Sequence, residues 1–86
     1  MNQMINEGVS VMMDFNNSQK KLFPVQIQWN NRDYRIDKVG MHHQYYQGKK
    51  LLHEFGVVSR DIFFKLILDT ENLQWKLAEV ADGESS

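Results

Sequence analysis

The sequence predicts an all-β domain, an antiparallel meander of about five to six strands forming a small barrel or a two-layer sandwich. The first ground is Phe23 to Val39, where two runs of alternating polarity flank Asn30-Asn31. Asn tolerates positive φ better than most L-residues, so a two-residue type I′ turn is favoured there. That turn sets Trp29 opposite Arg32, Ile27 opposite Tyr34 and Val25 opposite Ile36, all on one face. Gln26, Gln28, Asp33, Arg35 and Asp37 then take the other face, so a single register sorts every residue. The second ground is Leu51 to Ser59 with Ile62 to Asp69, turning at Arg60-Asp61, which pairs Val57 with Phe64, Phe55 with Leu66 and His53 with Leu68. A turn at Thr70 to Leu73 brings Trp75 opposite Leu68 and Leu77 opposite Leu66. The third ground is that no stretch has a convincing helical period.

Taken in order, residues 1–8 read as a flexible, frayed or weakly helical lead-in. Val9, Val11, Met13 and Phe15 alternate with Ser10, Met12 and Asp14, a strand signature, and Asn16 to Gln19 is turn chemistry. Pro24 cannot donate to a ladder and belongs at a strand start or an edge. Beyond Ile36 the alternation slips by one residue, as a β-bulge near Asp37-Lys38 would make it. Gly40 to Lys50 has mixed aromatic and His content and reads as a connection. The domain spans 9–80, and the acidic, small-residue tail 81–86 reads as disordered. The expected core is one continuous apolar face: Phe55, Val57, Phe64, Leu66, Leu68, Trp75 and Leu77, joined by Ile27, Trp29, Tyr34 and Ile36 from the central hairpin.

Size and composition narrow the class. Eighty-six residues hold one modest core. The absence of Cys excludes disulfides and thiolate chemistry and fits a cytoplasmic location. No apolar run approaches the roughly 20 residues of a membrane helix, and the opening M-N-Q-M-I-N-E-G has neither the basic nor the apolar region of a signal peptide. The net charge of −1 conceals an uneven distribution, because residues 20–60 carry eight basic side chains against Asp33, Asp37 and Glu54.

The central hairpin can be written P-x-x-I-x-W-x-x-R-x-Y-x-I-x-x-V from Pro24 to Val39, and the last strand W-x-L-x-x-V from Trp75 to Val80. Over roughly residues 9–82 this pattern resembles short uncharacterised bacterial all-β proteins. It is also similar to a domain of unknown function found beside Y-family-like DNA-repair polymerases. Asn31 stands where such sequences often carry Gly. The resemblance implies a bacterial origin and a link to DNA repair, and it supplies no catalytic residues.

No motif for catalysis, phosphate binding or a cofactor is present, so the chain is not expected to be an enzyme. His42 and His43 are adjacent and point to opposite faces of an extended chain, which leaves no metal-ligand set. His53 falls on the core face near Leu68 and Trp75, where a neutral, hydrogen-bonded imidazole is expected. The less expected feature is on the opposite face of the third hairpin, where Leu52, Val58, Phe63 and Ile67 fall among Glu54, Lys65 and Asp69. An apolar patch of this kind usually marks a contact surface. The expected function is therefore a non-enzymatic interaction module, a homodimer or a partner-binding domain, using those four residues, unless the first strand covers them. The alternative is a nucleic-acid-binding small barrel, with Lys20, Lys21, Arg32, Arg35, Lys49 and Lys50 on phosphates and Tyr45 and Tyr46 as stacking groups. A pI near 6.3 weighs against it.

Overall fold

The computed structural model describes residues 2–82. Seven strands form one antiparallel sheet: β1 (Asn2–Asn16), β2 (Lys21–Trp29), β3 (Arg32–Arg35), β4 (Lys38–Gln47), β5 (Lys50–Ser59), β6 (Ile62–Asp69) and β7 (Gln74–Asp82). Their spatial order is β3-β2-β1-β7-β6-β5-β4. The all-β meander is as expected, with more strands than the five to six foreseen. Among the described residues no helix is long and apolar enough to cross a membrane.

The order contains the reason the sheet curls. β3 and β4 are its two edges, yet only Ile36 and Asp37 separate them. From Arg35 to Lys38 the chain reaches at most about 11 Å, so the edges must meet at that point. They do. Ile36 N–H donates to Val25 O at 2.9 Å and Asp37 N–H to Val58 O at 2.8 Å. The buried Ser59 Oγ donates to Arg35 O at 2.6 Å, and Arg60 N–H to Asp37 Oδ2 at 3.1 Å. Curvature is supplied by register shifts at Met12/Met13, Met4/Glu7, Val39/Met41 and Lys65/Leu66, each of which sharpens the local twist. The result is a half-barrel, pinned shut at the β3–β4 end and open at the other.

The central hairpin has the expected register, with Trp29↔Arg32 and Ile27↔Tyr34. Asn30 and Asn31 have φ of 54° and 60°, as a type I′ turn demands. Arg60 and Asp61 repeat that geometry at 54° and 63°. The β5–β6–β7 pairings also fall as expected: Ser59↔Ile62, Val57↔Phe64, Phe55↔Leu66, His53↔Leu68, then Leu68↔Trp75 and Leu66↔Leu77. Ile27, Tyr34, Phe55, Val57, Phe64, Leu66 and Leu77 are buried on the concave face, with Trp29, Ile36 and Trp75 packed against them. Each such side chain removed from water contributes about 1.5–3 kcal/mol.

Four expectations are corrected. Residues 2–8 are not a lead-in. They form the first half of β1, paired with β7 from Asn2↔Ala81 to Gly8↔Lys76. Gly40 to Lys50 is not a connection. It supplies most of β4, which alternates in no readable way because it is an edge strand exposed on both faces. The slip beyond Ile36 is the chain crossing from one sheet edge to the other, and the register shift falls at Gly40 instead of Asp37-Lys38. The tail begins later than Ala81, since β7 runs through Asp82; residues 83–86 lie outside the described residues. Pro24 lies inside β2, where the Met12/Met13 shift leaves Val25 as the extra residue. β3 pairs only as far as Gln26, so no ladder bond is required of Pro24 on that side.

Candidate functional site

The convex face carries the four residues singled out for docking, and it is less available than the sequence suggests. Leu52 is only 6% exposed, and Val58, Phe63 and Ile67 are half-buried. β1 does not cover them, because it lies beside β7 within the same sheet. In-sheet neighbours pack against Phe63. The Phe63 ring lies across Gly56, so close that a Cβ at Gly56 would stand 3.0 Å from its ring carbons and 3.3 Å from the Met41 methyl. Around them Lys65 Nζ pairs with Glu79 Oε1 at 3.2 Å and with Glu54 Oε2 at 3.8 Å, and His43 Nε2 lies 3.8 Å from Glu54 Oε1.

The basic set is divided between the two ends of the molecule. Lys20, Lys21, Lys49 and Lys50 lie at the β1–β2 and β4–β5 turns, whereas Arg32 and Arg35 lie in β3 at the pinned end. The Lys50 ammonium is paired with Asp69 at 3.0 Å. That hydrogen bond raises the Lys50 pKa and lowers that of Asp69. Tyr45 and Tyr46 are consecutive in β4 and so point to opposite faces. The Trp29 indole does not stand free for stacking either, since its Nε1–H donates to Glu7 Oε1 at 3.1 Å. The cation–π contact at this end is Arg60 over Tyr34, 5.9 Å from the ring centroid.

The open end is where side chains converge on a hollow. β1 pairs with β7 only up to Val9↔Trp75, while its pairing with β2 continues to Asn16↔Lys21. The far half of the β1–β2 hairpin therefore extends past β7 as a two-stranded arm. Met13, Lys20, Lys21 and Leu22 of that arm face His42 of β4, His53 and Phe55 of β5, and Leu68 of β6. Thr70 and Leu73 of the β6–β7 turn complete a cavity of about 400 Å³. Its wall surface is mostly apolar, its polar residues are Lys20, Lys21, His42, His53 and Thr70, and none of its lining residues is acidic. A shallower hollow of about 620 Å³ adjoins it across Leu73, over Val9, Val11, Trp29 and Trp75. Glu7, the ionisable group there, has its Oε1 taken up by Trp29.

Two imidazoles carry the chemistry of the cavity. His42 Nε2 and His53 Nδ1 are 2.8 Å apart, a hydrogen bond whose donor depends on the tautomer. The His42 ring stacks on Phe55 at 4.1 Å and 6°. In either neutral tautomer the pair leaves one outward donor and one outward acceptor, His42 Nδ1 and His53 Nε2. Among the described residues no buried side-chain nitrogen or oxygen lacks a partner, so these atoms face solvent or a partner. The His42 pKa is held below its ordinary value, first by burial and then by the positive charge of His53, His43 and Lys21. Among the described residues no three His, Asp or Glu side chains form a metal-ligand group. The Thr70 hydroxyl is occupied, donating to Leu51 O at 2.7 Å.

The rim is apolar and exposed. Leu22 is 50% exposed and Leu73 72%. Leu73 also has a φ of 60°, an uncommon conformation for a side chain of its size. Its turn is held by Leu73 N–H to Asp69 O, Glu71 N–H to Asp69 Oδ1 and Gln74 N–H to Asn72 Oδ1. Of the cavity residues the sequence pointed to His53, Phe55 and Leu68 for the core face, to Lys20 and Lys21 for phosphates and to His42 as a rejected metal ligand, each for another role. The pairing of His42 with His53 across β4–β5 was hidden because β4 was not recognised as a strand. The available signal was apolar Leu22 and Leu73 placed against turns, where a polar residue is usual. Comparison with family models, with curated proteins and with solved structures finds no match for the chain.

Proposed function

We propose that this chain is a non-enzymatic binding module of the cytoplasm whose working surface is the cavity and rim at the open end of the half-barrel. The observation that carries this reading is the contrast in exposure of apolar side chains. Leu22 and Leu73 stand at least half exposed around a mostly apolar hollow, whereas on the convex face Leu52 is buried, Val58 and Ile67 are half-buried and Phe63 lies over Gly56. A hollow of this size, with a few convergent polar groups in the mouth of a barrel, is the usual form of a ligand site. Its imidazoles face each other, and the Thr70 hydroxyl is committed to a carbonyl. This arrangement supports recognition over nucleophilic catalysis.

The function class is the one expected from the sequence, moved from the convex to the concave side. The nucleic-acid alternative draws no support from the placement of its residues, since its cations divide between opposite ends and its tyrosines between opposite faces. The test is a ¹H–¹⁵N NMR titration with a set of small neutral apolar molecules. Saturable shifts are expected at Met13, Leu22, His42, His53 and Leu68. Shifts centred on Met41, Val58 and Phe63, or a parent dimer that Phe63→Asp dissociates without unfolding, would return the working surface to the convex face. Shifts at neither face would remove the reading.

A further inference from the structure

We propose that the ligand of this cavity is a small amphipathic anion, a carboxylate or sulfonate head on an acyl or aryl body. The inference rests on the cavity being the working surface and adds the chemistry of what it takes.

The walls set the body of the ligand. Met13, Leu22, Phe55, Leu68 and Leu73 offer thioether, aliphatic and aromatic surface with no directional demand. The polar groups set the head. Lys20 and Lys21 open onto the cavity, and no carboxylate lines it. Lys20 Nζ is bonded to the neutral Asn17 Oδ1 at 3.0 Å, so its charge is not cancelled. The charged groups nearby lie elsewhere: Asp69 is bound to Lys50, Glu54 to Lys65 and His43 on the convex face, and Asp14 alternates with Met13 onto the opposite side of β1. Glu71, next to the lining residue Thr70, lies in the exposed part of the β6–β7 turn, and its N–H is bonded to Asp69 Oδ1. A cation entering the cavity would meet two ammonium groups and two imidazoles. An anion would be attracted by all of them.

The histidine pair makes the fit specific. With one added proton it keeps its internal hydrogen bond and presents two outward N–H donors, at His42 Nδ1 and His53 Nε2. That is the complement of a carboxylate, and charge-assisted bonds of this kind are the strong ones. In the free protein, burial and electrostatic repulsion from His53, His43 and Lys21 oppose protonation of His42. A bound anion reverses that opposition, so binding should draw in a proton and tighten as pH falls.

The experiment compares decanoate, decanol and decylammonium, all below their micellar concentrations, by NMR titration of the whole chain. Decanoate should bind saturably at the open end. Decanol should be about tenfold weaker, the equivalent of one charge-assisted contact, and decylammonium weaker still. Decanoate affinity should rise as pH falls from about 8 to about 6, by at most about tenfold for each pKa unit by which binding raises the pair. Lys21→Gln should weaken decanoate several-fold and leave decanol unchanged. Leu22→Glu, at an exposed position that leaves the fold intact, should abolish decanoate binding. Decanol binding as tightly as decanoate would overturn the anion while leaving the cavity as a binding site. Decylammonium binding best would do the same. Non-saturating shifts spread over every apolar surface, or no binding by any of the three, would overturn both.

Discussion

The two ends of the half-barrel are built from the same seven strands and solve the problem of the sheet edge in opposite ways. At the pinned end β3 and the start of β4 draw the edges together through hydrogen bonds and ring contacts. Ser59 bonds Arg35, Asp37 bonds Val58 and Arg60, and Trp29, Tyr34 and Phe64 meet ring to ring at 5.1–6.3 Å. At the open end β3 is absent, the β1–β2 arm overreaches β7, and apolar side chains stand in water around a histidine pair. Stability is concentrated where the polar groups are satisfied and the rings are buried. At the open end Leu22 and Leu73 stay exposed beside the cavity. An open edge is usually a liability that proteins blunt, and here the short arm with Lys20, Lys21 and Pro24 flanks it.

The largest effect expected from this contrast is at Phe64, which is fully buried against Trp29 and Tyr34. Phe64→Ala should lower stability by about 3–5 kcal/mol in urea unfolding. Leu22→Ser at the open rim should change it by no more than about 0.5 kcal/mol. Comparable losses at the two sites would mean that the open rim is core, and the contrast would be lost.

Next in size is Ser59→Ala, which strips the Arg35 carbonyl of a buried donor. A loss of about 1–3 kcal/mol is expected. Faster hydrogen exchange should be confined to the Ile36 and Asp37 amides that join the two edges. Exchange that accelerates equally at the β6–β7 turn would show that the two ends are not independent.

The Asn30-Asn31 turn gives a smaller effect. Asn31→Val places a β-branched residue at a φ of 60° and should cost about 1 kcal/mol or more, while Asn31→Gly should be neutral or stabilising. Equal melting temperatures for the two variants would contradict the type I′ geometry.

The smallest effect is a pH dependence from the open end. Because His42 is held below its ordinary value, the unfolded chain takes up its proton first as pH falls. The contribution of His42 is therefore complete above about pH 6.5 and declines as pH drops through that value toward the folded pKa. An NMR titration should place His42 below the ordinary imidazole range, with the melting temperature falling in the same window. A raised value would indicate a carboxylate facing the ring.

The parts of this fold that were legible in the sequence share one property, a strand with one buried face. Ile27, Trp29, Tyr34, Phe55, Val57, Phe64, Leu66 and Leu77 recur at every second position because the concave side is dry. A one-residue slip would turn them all outward, so period and turn chemistry together determine the register of β2–β3 and β5–β6–β7. β4 was illegible because neither of its faces is buried, and the first half of β1 because Gln3, Met4 and Glu7 face water. Leu52, Val58, Phe63 and Ile67 were correctly sorted to the convex face, but their exposure depends on the Phe63 ring lying over Gly56 across the β5–β6 pair.

By itself, then, the chain determines its class, its central hairpin, its β5–β6–β7 pairings and the composition of its core, because these follow from local period and from turns of two to four residues. Tertiary structure alone decided the candidate site. Met13, Lys21, His42, His53 and Leu73 come from five strands and turns with no common period. They meet because a two-residue link between β3 and β4 closes one end of the sheet and the overreach of the β1–β2 arm leaves the other open. That curvature is the sum of register shifts spread over four strand pairs, and no single segment encodes it.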